Sequence, residues 1–401
     1  MELDAGERLK VGDILEVEIG PVAHGGHFVA RHNGQVIFVR HAITGEKAKI
    51  KITAVNSKIA HADLVELLTS APERVAAPCQ YAGSCGGCDF QHISLSAQLN
   101  FKKSIVLEQF LRIGKIDLIA EGFDLQMQQL SPNDGLHWRT RMDFAVSPAG
   151  KIGFFGARSN TVIEIDDCLI ADERMKVRDL VSRSWKSDAR VEVAVSSTSE
   201  ISVMRSGRSI SGPTQLTEQV DGNSFRISPV AFWQSHRNAP TTLVKAAVAQ
   251  LSAKPGDWVC DLYSGVGLFA AQILHQVGRQ GSVTLIESDK TAVADARKIF
   301  SKHENVSIFA GLVDQQLAQV KRANAILLDP PRTGAGESVI KQMVKLRPRK
   351  IVYVACDPAA LARDAKYLKE NGYKLDHIEG FDLFPMTQHM ECVAGFSPAN
   401  Q

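Results

Sequence analysis

Residues 261–270 read DLYSGVGLFA, an apolar run broken by a glycine turn and followed at once by a helical pattern. Gly265 and Gly267 let a chain turn sharply off a strand and let a ligand approach the backbone. Glu287 ends the next apolar run, 22 residues beyond Gly265, where an acid can hydrogen-bond ribose hydroxyls. The third glycine of the dinucleotide pattern is missing, which favours a ligand with no pyrophosphate to cradle, S-adenosylmethionine rather than NAD. From about residue 241, short apolar runs (WVCDLYS, SVTLIES, VSIFAG, AILLDPP, KIVYVAC) alternate with helix-like stretches such as LFAAQILHQV and ESVIKQMVKL. That alternation predicts a parallel sheet covered on both faces.

Three further segments fall where such a sheet gathers its chemistry, beyond the carboxyl ends of the strands. In LLDPPRTG (327–334) the two prolines restrict the backbone that carries Asp329 at a strand tip. In YVACDPAALARD (353–364) Cys356 ends another strand before Pro358, and DLFPMTQHMECV (382–393) supplies Glu391. Burial is the commonest fate of a cysteine and is expected of Cys260 and Cys392. A thiol, a carboxylate and a methyl donor together suit methylation of an unactivated pyrimidine carbon. Uracil C5 becomes nucleophilic only after a thiolate adds to C6, and a base must then remove the C5 proton.

Upstream, the texture is β. Residues 13–67 alternate at period two, with Asn33-Gly34 as a hairpin turn, which predicts a small OB-like barrel over 1–68. Residues 1–18 carry six acids, while 31–58 carry six basic groups (Arg31, Arg40, Lys47, Lys49, Lys51, Lys58) against Glu46 alone, either a solvated face or an RNA footprint. A mostly β central segment, 69–235, contains one helix over 94–113, with Ser94 as N-cap and Gly114 as stop, that could pack on a catalytic segment 236–401. Length alone, 401 residues, argues for two or three domains.

The chain has 44% apolar and 22% charged residues, a net charge of +2, no run long enough to span a membrane and no secretory pattern at its start. A cytoplasmic, monomeric protein is expected, with any nucleic-acid surface confined to patches. In that compartment CQYAGSCGGC (79–88), with three of the seven cysteines, reads as a metal or chemical site rather than a disulfide framework.

Taken in order, FWQSH (232–236), DLYSGVGLFA, LLDPPRTG, YVACDPAALARD and DLFPMTQHMECV resemble the RNA uracil-C5 methyltransferases (RumA/TrmA-like), the type with a TRAM domain and an iron–sulfur motif. The resemblance implies an α/β protein: a Rossmann-like class I S-adenosylmethionine-dependent methyltransferase domain, preceded by a TRAM barrel and the mostly β central domain. It implies Cys356 as nucleophile and Glu391 as base, with His389 nearby, and Gln234, Tyr263, Gly265, Glu287, Asp314 and Asp329 around the cofactor. Cys79, Cys85 and Cys88, with Cys168 as a distant fourth, would hold a [4Fe–4S] cluster, with zinc as the alternative. The chain departs from the commonest family form in carrying Asp357, not Asn, after the nucleophile, and an acid there raises the pKa of a neighbouring thiol.

The implied substrate is a uridine in 23S ribosomal RNA, with transfer RNA as the alternative. Arg139, Arg141, Lys151 and Arg158 beside Trp138, Phe154 and Phe155 are candidate contacts, the target base being flipped out. Two rival functions are an RNA cytosine-C5 methyltransferase and a non-catalytic iron–sulfur RNA-binding protein.

Overall fold

The computed structural model describes residues 8–56, 58–130 and 132–399. Contacts divide the chain into two compact units: Met1–Ile105 with Phe154–Ile163 and Phe384–His389, and Val106–Gly153 with Glu164–Leu383 and Met390–Gln401.

In the first unit, strands Ile14–Glu18, Lys47–Val55, Ile59–Thr69, Gln35–Arg40 and Phe28–His32 lie side by side in that order. Leu15, Val17, Ile37, Val39, Ile50 and Ile52 fill the interior, and residues between them face out, which is why the sequence alternates. Asn33 and Gly34 both take positive φ, 48° and 80°, and His32 pairs with Gln35, the two-residue hairpin that the dipeptide predicts. Half of the basic stretch is matched by acids of the same unit: Lys47 meets Glu18 at 3.4 Å, Lys49 meets Glu66 at 2.8 Å and Arg40 meets Asp63 at 3.9 Å. Those three belong to a solvated, neutralised face.

Glu46, the one acid in that stretch, is wholly buried. It accepts from the amides of Ile43 (2.8 Å) and Ala71 (3.3 Å) and from both Nε (2.6 Å) and Nη2 (2.8 Å) of Arg74. These bonds fasten the last barrel strand and the chain leaving it to the loop that precedes Lys47.

The helix begins at Leu95 directly after Ser94, whose carbonyl accepts from the Gln98 amide. After Gln109 it widens into a π-helical turn, Phe110–Gly114, and ends at Lys115 in the left-handed conformation, one residue beyond the expected glycine stop. Gly114 serves close packing instead: a Cβ there would lie 3.1 Å from the Ala362 carbonyl oxygen in helix Pro358–Glu370.

In the second unit, antiparallel strands Arg208–Ser211, Ile201–Arg205, Arg190–Val195 and Arg141–Val146 lie side by side in one sheet. Two expected RNA contacts belong to its packing. Trp138 is wholly buried, and Arg141 spends its guanidinium on the Pro229 carbonyl and the buried carboxylate of Glu218, which needs a counter-charge once out of water.

The other sheet has eight strands. Val306–Ala310, Ser282–Glu287, Trp258–Leu262, Ala325–Leu328 and Lys350–Ala355 run parallel, followed by antiparallel Glu391–Pro398, then Tyr373–Asp382 and Met127–Gln129 at the edge. Numbered along the chain from Trp258, the order is 3-2-1-4-5-7-6, and the reversal between strands 1 and 4 opens a crevice at their carboxyl ends. The central strands are buried on both faces, and AILL of Ala325–Leu328 is wholly so. Among the described residues no helix is long and apolar enough to cross a membrane.

Replacing Glu46 with alanine leaves two amides without their acceptor and Arg74 without its counter-charge, holding only the His41 carbonyl. We expect a loss of about 3 kcal/mol, read as a lower urea midpoint for the barrel's unfolding; an unchanged midpoint would show that the anchor is dispensable.

Candidate active site

The first strand ends at Leu262, and the chain then turns through Tyr263 (φ 59°), Gly265 (φ 55°) and Gly267 (φ 91°) into helix Leu268–Val277. Gly267 is fixed by packing, since a Cβ would lie 2.4 Å from the Phe300 ring, whereas the space over Gly265 is open. Glu287 holds this turn: its Oε2 accepts from the Gly265 amide at 2.8 Å, and its Oε1 accepts from the Ser288 and Asp289 amides, each at 2.6 Å. Asp261, wholly buried, accepts from the Ala270 amide through Oδ2, while its Oδ1 and the Ser264 hydroxyl are buried with no partner among the described residues. Both residues lie inside the quoted motif, yet the sequence reading passed over them.

At the neighbouring strand tip Asp329 donates its amide to the Leu262 carbonyl (3.2 Å), and its Oδ2 faces the side-chain amide of the buried Gln234 at 3.5 Å. Burial, then the charge of Glu287, push the Asp329 carboxyl up to about 7. Tyr263 feels both Asp364 and Asp314, and burial chiefly raises its hydroxyl to about 12. Asp314 sits in the first turn of the short helix Val313–Gln316.

The loop after Asp329 is clamped by the helix that follows Cys356. Asp364, wholly buried, accepts from the amides of Ala335 (2.8 Å) and Gly336 (3.2 Å) and the Tyr353 hydroxyl (2.8 Å), and Arg363 donates to the Thr333 carbonyl (2.8 Å). The ARD ending of YVACDPAALARD thus shapes the DPPRTG loop, a role invisible in a linear reading.

Cys356 and Glu391 meet through strand pairing. Ala355 opposite Cys392 is the last pair of an antiparallel ladder, and Cys356 and Glu391 are the next residues of the two chains. The Glu391 carboxylate lies close enough for its charge to act on the Cys356 thiol, while Cys392, like Cys260, is buried as expected. Burial, followed by Glu391 and Asp329, drives the Cys356 thiol up to about 12; Arg332 opposes the shift, and Asp357 adds to it last. Glu391 is raised well above the ordinary range by burial and Asp329, again opposed by Arg332. Arg332, the cation of this group, stood unremarked inside LLDPPRTG. Asp357 caps the following helix by accepting the Ala360 amide at 2.8 Å, a task that asparagine performs without charge.

Asp261, Glu287, Asp329 and Glu391 place four carboxyl groups along one crevice; burial first, and then neighbouring carboxylates, raise Asp261, Asp329 and Glu391. Such a field repels phosphates and favours a cationic ligand. The site suits a molecule with a positive centre and hydrogen-bond donors for Asp261 and Ser264.

Cys79, Cys85 and Cys88 occupy a loop of the first unit, while Cys168 belongs to the second; all four are partly exposed and free of disulfides. The Gly87 amide donates to Cys85 Sγ at 3.4 Å. Burial raises the Cys85 thiol, the Gly87 amide opposes it, and Cys79 adds to it, so these two sulfurs lie within electrostatic reach. Among the described residues no group of three or more His, Cys, Asp or Glu side chains is drawn close enough to hold a metal ion. The loop therefore offers a sulfur with an amide donor, but not an assembled ligand set.

Comparisons agree with this geometry. The TRAM domain family matches residues 8–65, and the tRNA (Uracil-5-)-methyltransferase family matches 296–396. An uncharacterized RNA methyltransferase of Streptomyces avermitilis is 39% identical, covering 97% of this chain and 99% of its own. One from Thermotoga maritima is 29% identical, covering 94% and 97%. The Pyrococcus abyssi tRNA (uracil-54, C5)-methyltransferase, solved with S-adenosyl-L-homocysteine, has the same fold, with a TM-score of 0.73 at 24% identity over 95% of this chain and 99% of that one.

Asp329 makes the folded state pH-sensitive. Its folded value near 7 lies above the ordinary value of 3.8, so the native state holds the extra proton and stability falls as pH rises from about 4 to about 7, then levels. We expect Asp329→Asn to flatten that part of the urea midpoint against pH; a slope identical to wild type would assign it elsewhere.

Proposed function

The chain belongs to the RNA methyltransferases of the uracil-5 class, and from that premise we propose that it transfers a methyl group from S-adenosylmethionine to C5 of a uridine through a covalent adduct with Cys356. The observation that carries the reading is the thiol of Cys356, just past the end of the Lys350–Ala355 ladder, within reach of the Glu391 and Asp329 carboxylates. S-adenosylmethionine would supply an electrophilic methyl on a cationic sulfur. Its positive charge suits the carboxyl-lined crevice, its ammonium suits the unpartnered Asp261 Oδ1, and Gln234, Tyr263, Gly265, Glu287, Asp314 and Asp329 would bind the rest.

Cys356 Sγ forms a bond to C6 of the flipped uracil while the C5=C6 electron pair moves toward O4, and the thiol proton passes to the Asp329/Glu391 carboxylate pair and on to solvent. C5 then takes the methyl group. Glu391 removes the remaining C5 proton, the double bond re-forms, and the S–C6 bond breaks to release Cys356. A base raised by burial is a stronger one, and Arg332 tempers the negative charge that builds as the thiol ionises.

Function is apportioned among residues 1–68 for RNA binding, 69–235 for the cysteine motif and 236–401 for chemistry. Ribosomal 23S RNA is the proposed substrate. Transfer RNA is the second reading, favoured by the Pyrococcus abyssi likeness, which spans the barrel as well as the catalytic sheet. The [4Fe–4S] cluster on Cys79, Cys85, Cys88 and Cys168, with zinc as the alternative, is proposed from the family resemblance, and the Gly87 amide on Cys85 is the feature that suits it. Its role would be structural, because the transfer moves no electron.

We expect Cys356→Ala to lower methylation by at least about 10³-fold and to form no adduct with 5-fluorouridine RNA. Glu391→Gln should methylate once and then accumulate as a protein–RNA adduct, and methylation by this variant with ordinary turnover would remove the base from the scheme. Mass-spectrometric mapping of 5-methyluridine in a deletion strain decides between the two RNAs. Protein prepared without oxygen should be brown, and colourless protein with stoichiometric zinc would overturn the cluster.

A further inference from the structure

The outer face of the barrel carries a group of rings that its packing does not require. Phe38 and His61 are directly paired residues of neighbouring parallel strands. Their chain neighbours Ile37, Val39, Ala60 and Ala62 are buried inward, so these two point out and are only half-buried. Their rings lie side by side, centroids 5.6 Å apart and planes inclined by 31°, forming a shallow floor. His27 meets both edge-on, at 6.2 and 5.9 Å with interplanar angles of 67° and 68°, and makes a wall.

Arg158, exposed on the segment 154–163 of the same unit, donates from Nη2 to His27 Nε2 at 3.0 Å. The accepting Nε2 puts the ring proton of His27 on Nδ1, where the ring bonds the Gly25 backbone. Burial first, and then Arg158, keep His27 down at about 4 and lower His61 as well, so both rings are neutral near pH 7 and present π surface rather than charge. Lys47, Lys49 and Arg40 are engaged by acids, while Arg158 sets a guanidinium against His27 at the rim of this corner.

We propose that the corner takes one unpaired base of the RNA, stacked on Phe38 and His61 against His27, with the adjoining phosphate on Arg158. A paired base shows no free face, whereas an unpaired one offers a π surface beside a phosphate, the complement of a neutral aromatic floor with a single cation. The proposal rests on the RNA-methyltransferase reading and deepens it: the RNA would be held at a loop or splayed nucleotide by the barrel, in addition to the target base.

The test uses the full chain without methyl donor and a fluorescein-labelled oligouridylate of about 12 nucleotides, its affinity followed from about 50 to 200 mM salt. Phe38→Leu, which keeps an apolar side chain but removes the π face, and His61→Ala should each weaken binding about fivefold or more with the salt slope unchanged. Arg158→Ala should weaken binding and reduce the slope by about 0.7; its exposed side chain makes it informative even if a ring variant folds poorly. Wild-type affinity in both Phe38→Leu and Arg158→Ala would overturn the proposal and assign the corner to another kind of partner. Because no methyl donor is present, this failure is separate from that of the uracil-5 chemistry, which would show instead as undiminished methylation by Cys356→Ala.

Discussion

The structure depends on one strand pairing, the antiparallel insertion of Glu391–Pro398 beside Lys350–Ala355. It closes the parallel part of the sheet and, in the same register, carries Glu391 from the far end of the chain to the tip where Cys356 stands. A slip of one residue would exchange Glu391 with Cys392, moving the carboxylate to the opposite face and leaving two thiols together. The buried stretch ECVAGF resists that slip, because the ladder's apolar residues would change faces with it.

The pairing takes its chemical meaning from the crevice beside it. Four carboxyl groups line the groove, and burial followed by repulsion between neighbours makes Asp261, Asp329 and Glu391 costly to ionise. Glu287 is stabilised by amides and Asp329 by Gln234, and Arg332 offsets part of the charge on Cys356 and Glu391. What remains is a site primed for a cation and for proton transfer, held in shape by the Asp364 clamp on the neighbouring loop.

The barrel shows a different division of labour. Its basic stretch could be read as a solvated face or as an RNA footprint, and strand pairing sets Glu16 and Glu18 opposite Lys49 and Lys47, so part of that charge is matched in place. The aromatic corner beside it is joined by an arginine from a distant part of the sequence.

The sequence by itself determined the alternating strands and helices, the Asn33-Gly34 hairpin, the sharp turn at Gly265-Val266-Gly267 and the presence of Asp329 and Cys356 at strand ends, because each follows from local backbone preference and periodicity. It also suggested contacts that folding reassigned: Trp138 and Arg141 went to the core, and the helix expected to stop at Gly114 ran through a π turn to Lys115. Only tertiary structure decided that Glu391 comes within reach of Cys356, that Asp364 shapes the loop after Asp329, and that Arg158 reaches His27 across 131 positions. Those are contacts between residues far apart in the chain, and no local pattern encodes them. They arise from strand register and from the need of each buried charge for a partner.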